Sequence, residues 1–265
     1  AFEEGYQYDV DYIFLNPRLG ISHQINNELS VYVSVATASR EPIDDQIYDP
    51  DNPNPEYKPR VEKYGLSEID PEQMIDIEIG ISRSVENMSL GINLYGMFFE
   101  NEIVSTGFSS DLDEEIFVNA PTSTHVGVEL EASHHGLLPG LSLSGNLSYG
   151  SSTLGDFSIE HVDSLDVDWE KYISTVNLKG NKIASFPDLT FNGRATYNYS
   201  FLTTSLHVQH VGKQFMDNRE DDEASLDAYT LLNAVLIAKL PAKRLGQIDF
   251  ELRVMNLLDL EYEPF

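Results

Sequence analysis

Apolar and polar residues alternate with a period of two along most of the chain. Ile75, Ile77, Ile79 and Ile81 interleave with Asp76, Glu78, Gly80 and Ser82. Leu90, Ile92, Leu94 and Phe98 share one parity, and Val126, Val128, Leu130 and Ala132 alternate with His125, Gly127, Glu129 and Glu131. The same rhythm returns in 141–149, 189–197 and 248–254. Side chains of a strand point alternately to its two faces, so each run predicts a strand with one apolar and one polar side. The pattern predicts strands at 9–25 (interrupted at Pro17), 28–38, 73–84, 89–101, 121–134, 140–150, 188–199, 203–212, 228–240 and 247–256. Helical spacing is nowhere sustained, so the chain reads as all-β.

The connections alternate too. Short turns at 26–27, 85–88, 135–139, 200–202 and 241–246 are separated by long connections at 39–72, 102–120, 151–187 and 213–227. In an up-and-down antiparallel sheet this places every short turn at one end and every long loop at the other. Two architectures compete. A soluble β-sandwich has strands of about 5–6 residues, whereas a tilted strand crossing a bilayer needs about 9–11. Most of these strands approach or exceed the second length. Charges such as Asp76, Glu78, Glu129, Glu131 and Arg253 on the polar faces suit a wet interior, with the apolar faces towards lipid. The expected fold is an antiparallel up-and-down transmembrane β-barrel, closed because an open edge in hydrocarbon leaves backbone groups unpaired.

Charge follows that geometry. The formal net charge is −28, from 16 basic and 44 acidic residues, and the four long connections hold 27 of the acidic ones. So acidic a chain makes nucleic acid a poor partner, since phosphate binding needs a basic face. Cysteine is absent, which excludes disulfides, thiolate metal sites and cysteine nucleophiles. No apolar run is long enough for a transmembrane helix.

Particular residues then carry a family likeness. Arg253-Val-Met-Asn256-Leu257-Leu258-Asp259-Leu-Glu-Tyr262 resembles the N-L-F-D-x-x-Y signature of TonB-dependent outer-membrane receptors. Pro17-Arg18-Leu-Gly20, then Tyr32, then Arg40-Glu-Pro42, is similar to that family's P-R-x-G, Y-x-S and R-x-P stretch. Pro71-Glu72 leading to Glu78-Ile-Gly80 resembles its E-x-G strand, and Gly127-Val-Glu129 its G-x-E strand. Gly180 to Pro187, the Tyr197 strand and Val211-Gly-Lys213 continue in the family's order. The 39–49 segment looks most like receptors of Bacteroidota. The resemblance implies a barrel of roughly 22 strands, plugged by an N-terminal domain and energised through TonB. This chain would supply about ten or eleven of those strands, with the plug, the first half of the barrel and the last strand outside it.

No catalytic chemistry emerges. His207 and His210 fall on opposite faces, no histidine pair has zinc spacing, and the Ser142 region lacks the G-x-S-x-G elbow. No enzyme activity and no cofactor are expected. The signature residues Asn256, Leu257, Asp259 and Tyr262 read as structural, in a turn at the outer rim. Arg18 and Arg194 are expected on the wet face, paired with carboxylates such as Glu78 or Glu129. Tyr48, Tyr57, Tyr64, Trp169 and Tyr172, in the long connections, are the candidate ligand contacts. Asp111, Asp113, Glu114 and Glu115 are candidates for a divalent cation bridging loops or lipopolysaccharide phosphates, against the plainer reading of a solvated acidic surface. The resemblance implies import of a ferric siderophore, cobalamin, haem or glycan across the outer membrane. The acidic outer end disfavours small anionic chelates. Outer-membrane lipid, lipopolysaccharide, TonB, a small nutrient and a surface lipoprotein are the expected partners. A passive porin or an adhesin scaffold is the alternative reading.

Overall fold

The computed structural model describes residues 11–43, 69–109, 114–165, 171–242 and 246–263. Ten strands form one antiparallel sheet in simple sequence order. They are β1 (Arg18–Gln24), β2 (Leu29–Arg40), β3 (Glu72–Val85), β4 (Met88–Ser109), β5 (Glu114–His135) and β6 (Leu141–Leu154), then β9 (Leu189–Tyr199), β10 (Leu202–Val211), β13 (Tyr229–Ala242) and β14 (Gly246–Val254). Two small hairpins sit outside it: β7 (Ser158–Leu165) with β8 (Lys171–Asn177), and β11 (Gln214–Phe215) with β12 (Ser225–Leu226). Each alternating run of the sequence occupies one strand of the large sheet. The sheet does not close on itself, and β1 and β14 are its edges.

The apolar side of the sheet is bare. Ile75, Ile77, Ile79 and Ile81 are 48%, 39%, 55% and 42% exposed, and Leu94, Phe250 and Leu252 on other strands are likewise open. A sandwich would bury these residues beneath a second layer. Instead, the buried apolar residues Val104, Ala120, Leu154, Leu178 and Ile183 cluster under the outer connections. Because an uncovered greasy sheet face is costly in water, lipid is the medium this face fits.

Three sequence expectations change. The first strand does not reach back through 11–16, which is irregular up to Pro17. Pro lacks the N–H a ladder needs, and pairing begins at Arg18. The connection expected at 102–120 is mostly strand: β4 and β5 have 22 residues each, about twice what a bilayer crossing requires. Finally, the long connections 151–187 and 213–227 contain the two small hairpins rather than open loop.

The extension of β4 passes through a local kink. Asn101 adopts a left-handed conformation, φ 56°, which few residues other than Gly, Asn and Asp tolerate. By the register of the flanking pairs it stands opposite Pro121, which has no N–H to offer. The Asn101 carbonyl is taken instead by Asn119 Nδ2 at 2.8 Å. Beyond the kink the parity reverses, and Glu102 and Val104 turn to the polar side of the sheet. The pairing register is kept across this point, Glu100 with Thr122 and Glu102 with Ala120, and shifts only further out, between Ser105 and Phe108.

Candidate functional site

The polar side of the sheet is organised in rows that cross the strands. In one row Tyr32, Gly80, Asn93 and Glu129 are successive register partners on β2, β3, β4 and β5. Tyr32 lies flat across Gly80, where an added Cβ would sit 2.0 Å from Cε1 of the ring. Its hydroxyl thereby donates to Asn93 Oδ1 at 2.8 Å and approaches Glu78 Oε2 at 3.3 Å. Asn93 Nδ2 in turn donates to Glu129 Oε2 at 3.2 Å. The next row runs Glu78, Tyr95, Gly127 and Gly150. Here Tyr95 covers both glycines, its hydroxyl 2.5 Å from a Cβ placed on Gly127 and 2.6 Å from one on Gly150. The E-x-G and G-x-E motifs are thus one device. Each row pairs a tyrosine with the glycine it lies on, and the glutamates stand diagonally across the device.

The resulting wall is acidic. No basic side chain among the described residues pairs with Asp76, Glu78, Glu129 or Glu131. Asp76 Oδ1 is enclosed with no hydrogen-bond partner among them. The pairing expected for Arg18 and Arg194 is therefore corrected. Both lie on the polar side, but the register sets Arg18 in the row of Ala36 and Asp76, not of Glu78. Arg194 sits with Ser144 and His207, two rows from Glu129. It lines a polar groove with Glu131, Asn146, Asn192 and His207. Gly20 is in β1 opposite Ser34, with ordinary room for a side chain.

Further out, the wall closes over a buried polar cluster. Glu102 accepts from Ser123 Oγ, and its other oxygen lies 3.1 Å from His125 Nε2. His125 Nδ1 contacts Ser152 Oγ at 2.8 Å. The imidazole is held between Phe99 and Phe186, each with ring centroids 5.0 Å away. Glu102, Ser123 and His125 are all buried. Such a network ties β4, β5 and β6 together, since a satisfied buried polar group orders its neighbours and an unsatisfied one is costly. The loop-side Glu72 does similar work at the mouth. Its Oε2 takes Arg40 at 2.8 Å and the Ile103 amide at 3.2 Å.

The signature near the C-terminal end forms a turn, as its sequence implies. β14 ends at Val254. The Asn256 amide donates to Asn233 Oδ1 at 2.8 Å, and the Leu257 amide to the Leu232 carbonyl at 2.7 Å. The Asn256 side chain then spans to Leu260, donating from Nδ2 to its carbonyl and accepting its amide at Oδ1. Asn256 and Asp259 both have positive φ, 52° and 50°. Tyr262 packs on Tyr229, with ring centroids 4.9 Å apart. Each of these hydrogen bonds holds a backbone group of the turn.

Of the candidate ligand contacts, Tyr48, Tyr57, Tyr64 and Trp169 lie outside the described residues, as do Asp111 and Asp113; Tyr172, Glu114 and Glu115 fall in strands without described side chains. No cluster of three metal-ligating side chains occurs among the described residues. The geometry adds residues that sequence reasoning did not single out: Tyr95, Asn93, Glu102 and His125. Tyr95 and Asn93 share the wet parity of β4, which was the available signal. Glu102 carried none, because its face depends on the Asn101 kink.

Comparison with known proteins agrees with this architecture. Residues 4–257 match the family model described as TonB dependent receptor-like, beta-barrel. No curated protein is a sequence match. Among solved structures, the ferric yersiniabactin uptake receptor of Yersinia pestis superposes with a TM-score of 0.62 at 18% identity, over 92% of this chain and 32% of its own. The siderophore receptor PiuA of Acinetobacter baumannii gives 0.65 at 18% identity, with the same coverage of 92% and 32%. The copper transporter OprC gives 0.65 at 13%, over 92% and 34%. At such identities the likeness is one of fold. The chain spans about a third of the length of these structures. It belongs to the TonB dependent receptor-like β-barrel family, whose barrels reside in the outer membrane of Gram-negative bacteria.

Proposed function

We propose that this chain is the C-terminal portion of the barrel of an active outer-membrane transporter, which takes up a scarce small nutrient with energy relayed by TonB. The reading rests above all on one observation. The sheet is open at both edges, bare on its apolar side, and lined on its polar side by Asp76, Glu78, Glu129 and Glu131, without basic partners among the described residues. A barrel completed by further strands answers the open edges, lipid answers the bare face, and a plug seated against the wall answers the carboxylates. Plug, first barrel half and last strand therefore belong, in this reading, to the rest of the protein. Transport by such a device needs no covalent chemistry.

The structures this chain resembles include a ferric yersiniabactin uptake receptor, a siderophore receptor and a copper transporter. Our reading keeps ferric siderophores, cobalamin, haem and glycans as the classes to test. Contacts would come from the outer connections, with Tyr48, Tyr57, Tyr64, Trp169 and Tyr172 as first candidates. Asp111, Asp113, Glu114 and Glu115 are candidates for bridging cations or lipopolysaccharide. A surface lipoprotein is a candidate partner.

The test uses the full-length protein expressed in a strain lacking its own receptors. Accumulation of radiolabelled iron chelates, copper, cobalamin, haem and oligosaccharides is measured with and without TonB. Concentrative uptake of one probe that disappears without TonB supports the proposal. Uptake that persists without TonB, or a general rise in permeability to small solutes, assigns the passive-pore reading instead.

A further inference from the structure

Three outer connections meet at a single side chain. Asn218, 3% exposed, lies in the connection between β10 and β13. Its Nδ2 donates to the Ser105 carbonyl in the extended part of β4, at 2.6 Å. Its Oδ1 accepts the Ala184 amide at 2.8 Å, and its own carbonyl accepts Asn181 Nδ2 at 3.0 Å. Ala184 and Asn181 belong to the connection between β6 and β9. From β10 to β4 the sheet order counts four strand spacings, roughly 19 Å at about 4.8 Å each. The connection 213–227 therefore arches across the face of the sheet instead of standing above its own strands.

The turn that carries Asn218 is itself braced. Asp217 Oδ1 accepts the amides of Arg219 at 3.0 Å and Asp221 at 3.3 Å, and Asp217 Oδ2 pairs with Arg219 Nε at 2.8 Å. Alongside, the Lys182 amide donates to Glu220 Oε1 at 2.9 Å, and the Ser185 amide to the Phe215 carbonyl at 2.8 Å. Beneath these bonds lies the only cluster of buried apolar residues among those described. It draws Val104 and Ala120 from the β4–β5 hairpin, Leu154 from the end of β6, and Leu178 and Ile183 from the connection that follows.

We propose that Asn218 is a positioning residue that locks these three connections into one rigid unit, so that the outer wall on this side responds to a ligand as a single body. A molecule touching any one connection is then felt by all three, and none closes separately as a lid. This goes beyond transport as such, because the coupling holds whether the barrel is pumped or passive.

Hydrogen exchange on the full-length protein in detergent, read by mass spectrometry, tests it. Asn218→Ala is expected to speed exchange at least tenfold in peptides from 103–109, 181–187 and 214–226 together, with β2, β3 and β9 unchanged. Asn181→Ala removes one of the three bonds and is expected to give a smaller rise in the same three segments. It also serves if Asn218→Ala does not assemble. Acceleration confined to the substituted connection, in either variant, overturns the proposal, as does no acceleration at all.

Discussion

Replacing Gly80 with alanine tests whether the glycine motifs serve the tyrosines that lie on them. The new Cβ would stand 2.0 Å from Tyr32 Cε1 and 2.6 Å from Cζ, far inside a normal carbon contact of about 3.5–4.0 Å. The backbone of a central strand yields little, so the ring must swing away. With it go the Tyr32 hydroxyl contacts to Asn93 at 2.8 Å and Glu78 at 3.3 Å. On a wet wall each is worth the lower end of the usual net range, and the total loss is about 1–2 kcal/mol. Tyr32→Phe, which keeps the ring and drops the hydroxyl, is expected to lose most of that amount. In a Tyr32→Ala background the alanine meets no ring, and its cost falls to near zero or reverses, since Gly is itself poor in a strand by about 0.5–1 kcal/mol. The coupling energy of the Gly80→Ala and Tyr32→Ala cycle is therefore about 1–2 kcal/mol. It can be measured on the full-length protein by urea unfolding from lipid vesicles, followed by gel mobility. Equal cost of Gly80→Ala in both backgrounds would refute the reasoning.

Two further outcomes follow from the same faces and turns. Ile79→Arg, in the middle of β3 on the bare face, is expected to cost about 2–4 kcal/mol near the bilayer midplane; Ser82→Arg on the wet face of the same strand should be nearly neutral in the same unfolding assay. Asn256→Ala is expected to destabilise by about 1–3 kcal/mol, through the left-handed backbone and the two lost bonds to Leu260. Asn256→Gly should lose only the bonds, so a thermal midpoint for it equal to that of Asn256→Ala would contradict the assigned conformation.

The strands within the membrane were legible because two different solvents act on the two faces of one sheet. Ile75 to Ile81 answer to lipid and Asp76 to Ser82 to water, which forces the alternation that a sequence displays. Above the bilayer that constraint lapses. The stretch Ser105-Thr-Gly-Phe-Ser109 has no period, and it read as loop although it continues β4 to Ser109. The wall chemistry was half legible. Glu78, Gly80, Gly127 and Glu129 could be named from their motifs, but who touches whom depends on register. Arg18 and Arg194 were matched to carboxylates by charge, whereas the fold assigns Glu78 and Glu129 to Tyr32 and Asn93. Asn218 carried no signal, for its partners lie 34 and 113 residues away.

The kink at Asn101 also bears on how such a receptor diversifies. A plain ribbon transmits its in-and-out phase along its whole length, so adding a single residue anywhere would invert everything beyond. At Asn101, whose carbonyl Asn119 takes, the phase reverses in β4 and, opposite it, in β5, while the two strands stay paired. The hairpin above is thereby released from the lettering that hydrocarbon imposes below. Its tip can lengthen, shorten or change chemistry while the span below stays untouched.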